Sequence, residues 1–212
     1  VESSSNLEQF DGTLIPLLDF GAFTGRGKDT TQSFKPKVSL DLRPLDDVLV
    51  YLSWQQAIKS GTFNVINIYL PPAYVKPEEL EAYEIGVKTK LFDGLMSLTA
   101  AAFHYDIKNQ QVQFVSLLQG GAVSFETAGG ARIRGVDFDA IVQLLPSLTD
   151  GLVLTAGGAI LDAKYTDYTS GSGFDDTTGV FRSDYDFTGN RVVRTPKVSG
   201  PVGLSQTLQI QG

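Results

Sequence analysis

The chain has 212 residues, of which 42% are hydrophobic and only 19% charged, with a formal net charge of −7 and no cysteine. Those values exclude an intrinsically disordered chain, a nucleic-acid binder, which needs clustered Lys and Arg, and any disulfide framework or thiolate metal site. The longest apolar runs, such as Val48 to Leu52, are strand-sized and far from the ~18 residues a membrane helix requires.

The opening Val1-Glu2-Ser3-Ser4-Ser5 reads as the interior of a longer gene product, and residues 1–33 as a loop or irregular segment. A first strand is predicted from Phe34 to Arg43, where Val38, Leu40 and Leu42 alternate with Lys37, Ser39, Asp41 and Arg43. After the tight Arg43-Pro44-Leu45-Asp46-Asp47 turn, a second runs from Val48 to Gln56. A polar stretch from Ala57 to Pro77 ends in prolines that no central strand accommodates. The third strand, Leu80 to Phe92, and the fourth, Leu95 to Lys108, flank Asp93-Gly94, a strong hairpin signal because primed turns require positive φ. A smaller hairpin is expected toward Val115 and Gln119-Gly120-Gly121. The fifth strand spans Arg132 to Leu145 and the sixth Leu152 to Tyr165, joined through Pro146-Ser147-Leu148-Thr149-Asp150-Gly151. A Gly/Asp/Thr/Ser-rich loop covers Thr166 to Asn190. The seventh strand, Thr195 to Leu208, puts Val198, Val202, Leu204 and Leu208 opposite Lys197, Ser199, Ser205 and Thr207. No helical periodicity is sustained.

Short turns at one end and long polar loops at the other are the pattern of a transmembrane β-barrel. The runs reach 10–14 residues, against the ~9–11 a tilted spanning strand needs and the 5–6 typical of soluble domains. Charge on a lipid face costs roughly 2–4 kcal/mol near the midplane, so charged residues are assigned to the lumen. On that rule Lys37, Asp41, Arg43, Glu84, Lys88, Lys90, His104, Asp106, Asp137 and Asp139 point inward. Val38, Leu40, Leu52, Trp54, Ile85, Val87, Phe103, Tyr105, Val136 and Phe138 point to lipid, and a bulge at Gly135 is expected to correct the parity after Arg132-Ile133-Arg134. The sixth strand is too rich in Gly and Ala for its faces to be read.

Four blocks carry a family resemblance. Phe34-Lys35-Pro36-Lys37-Val38-Ser39-Leu40, with Asp47-Val48-Leu49-Val50-Tyr51-Leu52-Ser53-Trp54 and Lys59-Ser60-Gly61-Thr62-Phe63-Asn64, forms the first. The most specific is Pro77-Glu78-Glu79-Leu80-Glu81-Ala82-Tyr83-Glu84-Ile85-Gly86-Val87-Lys88, close to Pro-Glu-x-x-x-x-Tyr-Glu-x-Gly-x-Lys. Ala131-Arg132-Ile133-Arg134-Gly135-Val136-Asp137 and Leu161-Asp162-Ala163-Lys164-Tyr165, followed by Gly189-Asn190-Arg191 and Thr195-Pro196-Lys197, complete the order. Together they resemble part of the barrel of a TonB-dependent outer-membrane receptor. The resemblance implies an all-β antiparallel meander within a transmembrane barrel of about 22 strands, residues 1–33 being an extracellular segment and 34–212 its middle portion. It also implies energised uptake of a scarce ligand, a ferric siderophore or related metal complex, across the outer membrane of a Gram-negative bacterium. Lipid and the TonB complex, reached through a plug domain not visible in this chain, would be the partners. No plug, coupling box or aromatic terminal residue is visible. A soluble β-sandwich carbohydrate-binding module and a non-energised porin remain as alternatives.

No Ser/His/Asp or paired-carboxylate arrangement points to an enzyme, and no cofactor is implied. His104, the only histidine, lies two residues from Asp106, which is too little for a metal site and fits a polar lumen wall. Arg132 and Arg134 fit either contact with an anionic ligand or pairing with Asp137 and other lumen carboxylates. These four, Arg132, Arg134, His104 and Asp106, are the candidate ligand-binding residues. Asp175-Asp176 and Asp184-x-Asp186 lack the ligand spacing of a calcium loop.

Overall fold

The computed structural model describes residues 4–8, 14–19, 30, 32–64, 73–116, 122–144, 151–175 and 177–207, and every regular element among them is a β-strand. The strands in chain order are β1 (Ser4–Glu8), β2 (Leu14–Asp19), β3 (Lys37–Leu45), β4 (Val48–Lys59), β5 (Thr62–Asn64), β6 (Ala73–Val75), β7 (Glu78–Leu91) and β8 (Met96–Lys108). They continue as β9 (Gln111–Ser116), β10 (Ala122–Thr127), β11 (Gly130–Gln143), β12 (Leu152–Asp167), β13 (Gly171–Phe174), β14 (Phe181–Tyr185), β15 (Val198–Ser199) and β16 (Val202–Gln206). The main sheet runs β3-β4-β7-β8-β11-β12, with β15 and β16 both on the outer edge of β12, and every pairing is antiparallel. Neighbours in space are neighbours among the long strands of the chain, which makes the sheet a meander without crossovers. The remaining strands pair in four two-stranded hairpins: β1 with β2 inside residues 1–33, then β5 with β6 between β4 and β7, β9 with β10 between β8 and β11, and β13 with β14 after β12.

The long strands meet through tight turns at one end only. At the β7–β8 turn Asp93 and Gly94 have φ of 54° and 86°, and the Leu95 amide donates to the Phe92 carbonyl at 3.1 Å. With Phe92 at φ 56°, three successive residues lie in the left-handed region, and positive φ at both Asp93 and Gly94 gives the primed sense of turn that suits the twist of the flanking strands. Asp46 and Asp47 turn β3 into β4 at the same end. Of the third turn only Gly151 is described, at φ +85°, and Pro146 to Asp150 lie outside the described residues. The expected seventh strand is interrupted at Gly200-Pro201. Proline has no N–H for the ladder, and a Cβ on Gly200 would stand 2.2 Å from the Gly157 carbonyl oxygen, so the chain crosses β12 too closely for a side chain. Leu208 lies outside the described residues.

The register fixes which residues share a face. Reading across the sheet, Leu40, Leu52, Ile85, Ala102, Val136, Ile160 and Val198 stand opposite one another in a single row. The next row is Leu42, Val50, Val87, Ala100, Phe138 and Gly158. These apolar rows have no layer packed over them among the described residues: Leu40 is 56% exposed, Ile85 53% and Ile160 60%. The other face carries Lys37, Ser39, Asp41, Tyr51, Glu84, Gly86, Lys88, Asp137 and Asp139.

Two expectations about faces are overturned. Ile85 pairs with Ala102, not Phe103, so Phe103 and Tyr105 lie on the Lys88 face and His104 and Asp106 on the Val87 face. Nor is there a bulge at Gly135. The pairing of β11 with both neighbours is unbroken from Ala131 to Val142, and the one irregularity falls between Gly130 and Ala131. Arg132 and Arg134 therefore share the face of Val136 and Phe138. The physical reason is the strict period of two: one residue of register slip moves a whole strand's side chains to the opposite face.

The buried core is small and sits at the loop end. Val112, Ala128, Ala131, Ala163, Tyr165, Tyr168 and Val192 pack together there, joining the loop-end halves of β11 and β12 to the β9–β10 hairpin and the last long loop.

Candidate functional site

On the Lys88 face the mid-strand residues form a polar-aromatic cluster. Gly86 leaves room for the Tyr51 ring, which approaches the position of a Cβ to 2.4 Å, and the Tyr51 hydroxyl donates to Glu84 at 2.7 Å. The Lys88 ammonium lies 5.7 Å from the centre of the same ring, within cation–π range. Phe103 and Tyr105 stack at 4.9 Å beside Glu84, and Asp137 and Asp139 follow on β11. At the turn end Arg43, Asp46, Asp47, Lys88 and Lys90 line a polar recess of about 330 Å³. Such a surface can hydrogen-bond and stack against a polar solute or a second protein domain. It holds no nucleophile–base pair, and no group of three or more potential metal ligands occurs among the described residues.

The four residues singled out as ligand contacts are brought together, but on the other face. His104 Nε2 and Asp106 Oδ2 are 2.8 Å apart, and Arg132 Nε donates to Asp106 Oδ1 at 2.9 Å. Arg134 reaches Asp162 at 3.6 Å rather than Asp137. Directly beside them Trp54 Nε1 and the Tyr83 hydroxyl both donate to Glu81 Oε1, at 2.9 and 3.0 Å. These charges occupy the two rows immediately loopward of the apolar band: Trp54, Tyr83, His104, Arg134 and Asp162, then Gln56, Glu81, Asp106, Arg132 and Lys164.

The loops are built structures. Glu126 of β10 accepts from the Tyr168 hydroxyl and from the Ser172 amide, the latter at 2.9 Å, which ties the β9–β10 hairpin to the last long loop. Burial first, and then the bond to Glu126, push the Tyr168 phenol well above its ordinary range. Around it Tyr165 lies 4.8 Å and Phe187 5.2 Å away, ring centre to ring centre. At the loop tip Phe174 and Phe181 meet edge-to-face at 5.5 Å. The Asp175 carboxylate accepts the amides of Thr177 and Thr178, which hold it below the usual carboxylate range, and Arg182 does the same for Asp184. Asp186 accepts from the Thr188 amide at 2.8 Å. These carboxylates organise turns, and Asp176 lies outside the described residues.

Comparison with known proteins decides the family. The model of the TonB dependent receptor-like β-barrel matches residues 9–209. The chain belongs to that family. Of the curated relatives, the metal-pseudopaline receptor CntO of Pseudomonas aeruginosa is 33% identical over 124 residues, 58% of this chain and 14% of its own length. Among solved structures, the siderophore receptor PiuA from Acinetobacter baumannii superposes with a TM-score of 0.56 at 21% identity, over 80% of this chain and 23% of that one. The ferric yersiniabactin uptake receptor FyuA from Yersinia pestis gives 0.58 at 20% identity, over 82% and 23%. The chain thus spans under a quarter of the length of these receptors, and the structural likeness is one of fold. An open meander is what a segment of such a barrel looks like.

Glu84 is expected to point inward, Tyr105 is expected to face lipid but lies on the Glu84 face, and neither Tyr51 nor the Glu126–Tyr168 pair is marked by the sequence as part of a site. For Glu84 and Tyr105 the turn holds the signal, since pairing counted outward from Asp93-Gly94 brings Ile85 opposite Ala102 and so puts Phe103 and Tyr105 beside Glu84. Glu126 and Tyr168 are 42 residues apart with no motif between them.

Proposed function

We propose that the full-length protein is an energised outer-membrane importer that takes up a metal-bearing small molecule, a ferric siderophore or related complex. The observation that carries this is a sheet of family-matched strands, 12–16 residues long from β4 to β12, whose one apolar face is left uncovered. In a soluble sandwich a second sheet would cover that face. On this reading the Val87 face meets lipid and the Lys88 face lines the lumen. The tight turns are periplasmic, and the hairpin-bearing loops, with residues 1–33, are extracellular. Residues 34–212 form a middle portion of the barrel, and lipid is the partner of its outer wall. A plug encoded elsewhere in the full protein contacts TonB. The names of the relatives, receptors for metal-pseudopaline and for siderophores, support the class of cargo. Arg132, Arg134, His104 and Asp106 share the Val87 face and so lie on the lipid side, away from the lumen. Tyr51, Glu84, Phe103 and Tyr105 take their place along the passage.

The test is uptake of radiolabelled iron, supplied on a panel of siderophores, by cells carrying or lacking the full-length gene. Uptake that needs the gene and collapses when TonB is deleted is expected. Equal uptake of every complex with and without the gene, or uptake indifferent to TonB, would overturn the reading.

A further inference from the structure

We infer that the outer wall of this segment carries a seat for one anionic, phosphate-bearing lipid, its headgroup held by Arg132, Arg134 and Lys164 and an acyl chain lying in a groove below them. The inference rests on the proposed membrane orientation. Two independent features point to the same occupant.

The first is charge. Across β11 and β12, Arg134 stands opposite Asp162 and Arg132 opposite Lys164, all on the Val87 face and in the two rows directly above the apolar band. Three cations there face two carboxylates, Asp106 and Asp162. Arg132 engages Asp106 through Nε, whereas Arg134 and Lys164 share Asp162 at 3.6 and 3.9 Å, beyond hydrogen-bond length. The side chains of Arg134 and Lys164 are 57% and 60% exposed. A guanidinium has five donors and an ammonium three, so this block offers a phosphate both net positive charge and donors that the carboxylates do not take up. The other half of the same belt is acidic, with Glu81 bridging Trp54 and Tyr83, and does not suit an anion.

The second is shape. In the two rows directly below the cations β8 presents the small Ala100 and Ala102 on the outer face, flanked by Ile85 and Val87 on one side and Val136 and Phe138 on the other, with Leu98 of the same face in the next row. The result is an apolar groove of about 540 Å³ over Ala100 to Ala102 of β8. One row above it β8 continues into His104 and pairs with Arg134. A free phosphate would use the cations and leave the groove unfilled, whereas an anionic lipid matches both.

The experiment uses the full-length protein purified in dodecyl maltoside with bisphosphorylated lipid A as probe, retained lipid being counted by native mass spectrometry. The variants are Arg132→Gln/Arg134→Gln/Lys164→Gln and, as a charge-loss control on the opposite face, Lys88→Gln. Resistance of the barrel to SDS before heating reports folding. The expected result is that the triple variant retains lipid A at least tenfold less tightly, as loss of charge-assisted bonds implies, with Lys88→Gln unchanged. Dephosphorylated lipid A should bind like the triple variant, and inorganic phosphate should not displace the lipid. Equal retention by folded wild type and triple variant would overturn the inference and leave the transport reading intact, as would displacement by inorganic phosphate. If the triple variant fails to fold, Ala102→Phe, which fills the groove without touching charge, must lower retention, and unchanged retention would equally overturn the inference. Recovery of the wild type away from the outer membrane would instead defeat the transport reading.

Discussion

Single residues reveal the asymmetry between the two faces most sharply. Val87 and Lys88 are chain neighbours on opposite faces, and so are Phe138 and Asp137. Introducing Arg by Val87→Arg or Phe138→Arg should impair assembly of the full-length barrel by roughly 2–4 kcal/mol each if the site is near the midplane, as read by the heat-sensitive gel shift and by denaturant midpoints. Lys88→Ala and Asp137→Ala should be milder. Phe103→Arg should also be mild, because the register puts Phe103 beside Glu84; equal damage from Phe103→Arg and Val87→Arg would contradict the assigned faces. In the loops, Tyr168→Phe removes a buried bond to a carboxylate, leaves Glu126 with the Ser172 amide, and should weaken the loop unit by about 1–3 kcal/mol. Faster amide exchange around residues 168–174 would report it. The Tyr168 phenol is raised in the folded loop, so on unfolding it ionises more readily. Its stabilising contribution is intact below the ordinary phenol value near 10 and is lost as pH rises above it. Alkaline titration should loosen the wild-type loop and leave Tyr168→Phe less affected.

At the scale of elements, much was legible and one error was systematic. The six long strands of the meander, the tight turns at Asp46-Asp47 and Asp93-Gly94, and the β9–β10 hairpin follow from alternation and turn residues, because turn chemistry and the period of two are local. The seventh strand was read as continuous because Gly200-Pro201 carries no mark of how closely it passes Gly157, a long-range contact. The faces of β8 were inverted because the rule that sends charge to the lumen ignores depth. His104, Asp106, Arg132 and Arg134 lie above the apolar rows, where in the proposed orientation charge on the outer wall costs little. Counting the register from the turn would have corrected this; Ala100 and Ala102, being small, gave no hydrophobic signal to compete with Phe103. The turn itself is testable. With Gly94 at φ +86°, Gly94→Val should cost about 1–2 kcal/mol through left-handed strain, whereas Asp93→Asn should be nearly neutral. Refolding rates into detergent micelles would separate the two. Gly86→Val is expected to cost more than a surface change, because its side chain would displace the Tyr51 ring and its bond to Glu84.

For the whole molecule, the chain is a wall rather than a container. Among the described residues its apolar rows are bare and its compact core lies at the loop end, as expected of a segment of a larger closed barrel. The central claim is the assignment of faces, and the chain's lack of cysteine suits it to site-directed spin labelling. Single cysteines introduced by Ile85→Cys, Phe103→Cys and Asp137→Cys in the full-length protein, reconstituted in phospholipid vesicles, would be compared for relaxation by oxygen and by a water-soluble nickel chelate. The account predicts that the Ile85 position favours oxygen, and that the Phe103 and Asp137 positions favour the nickel chelate. Oxygen preference at the Phe103 position, or nickel access at the Ile85 position, would contradict it.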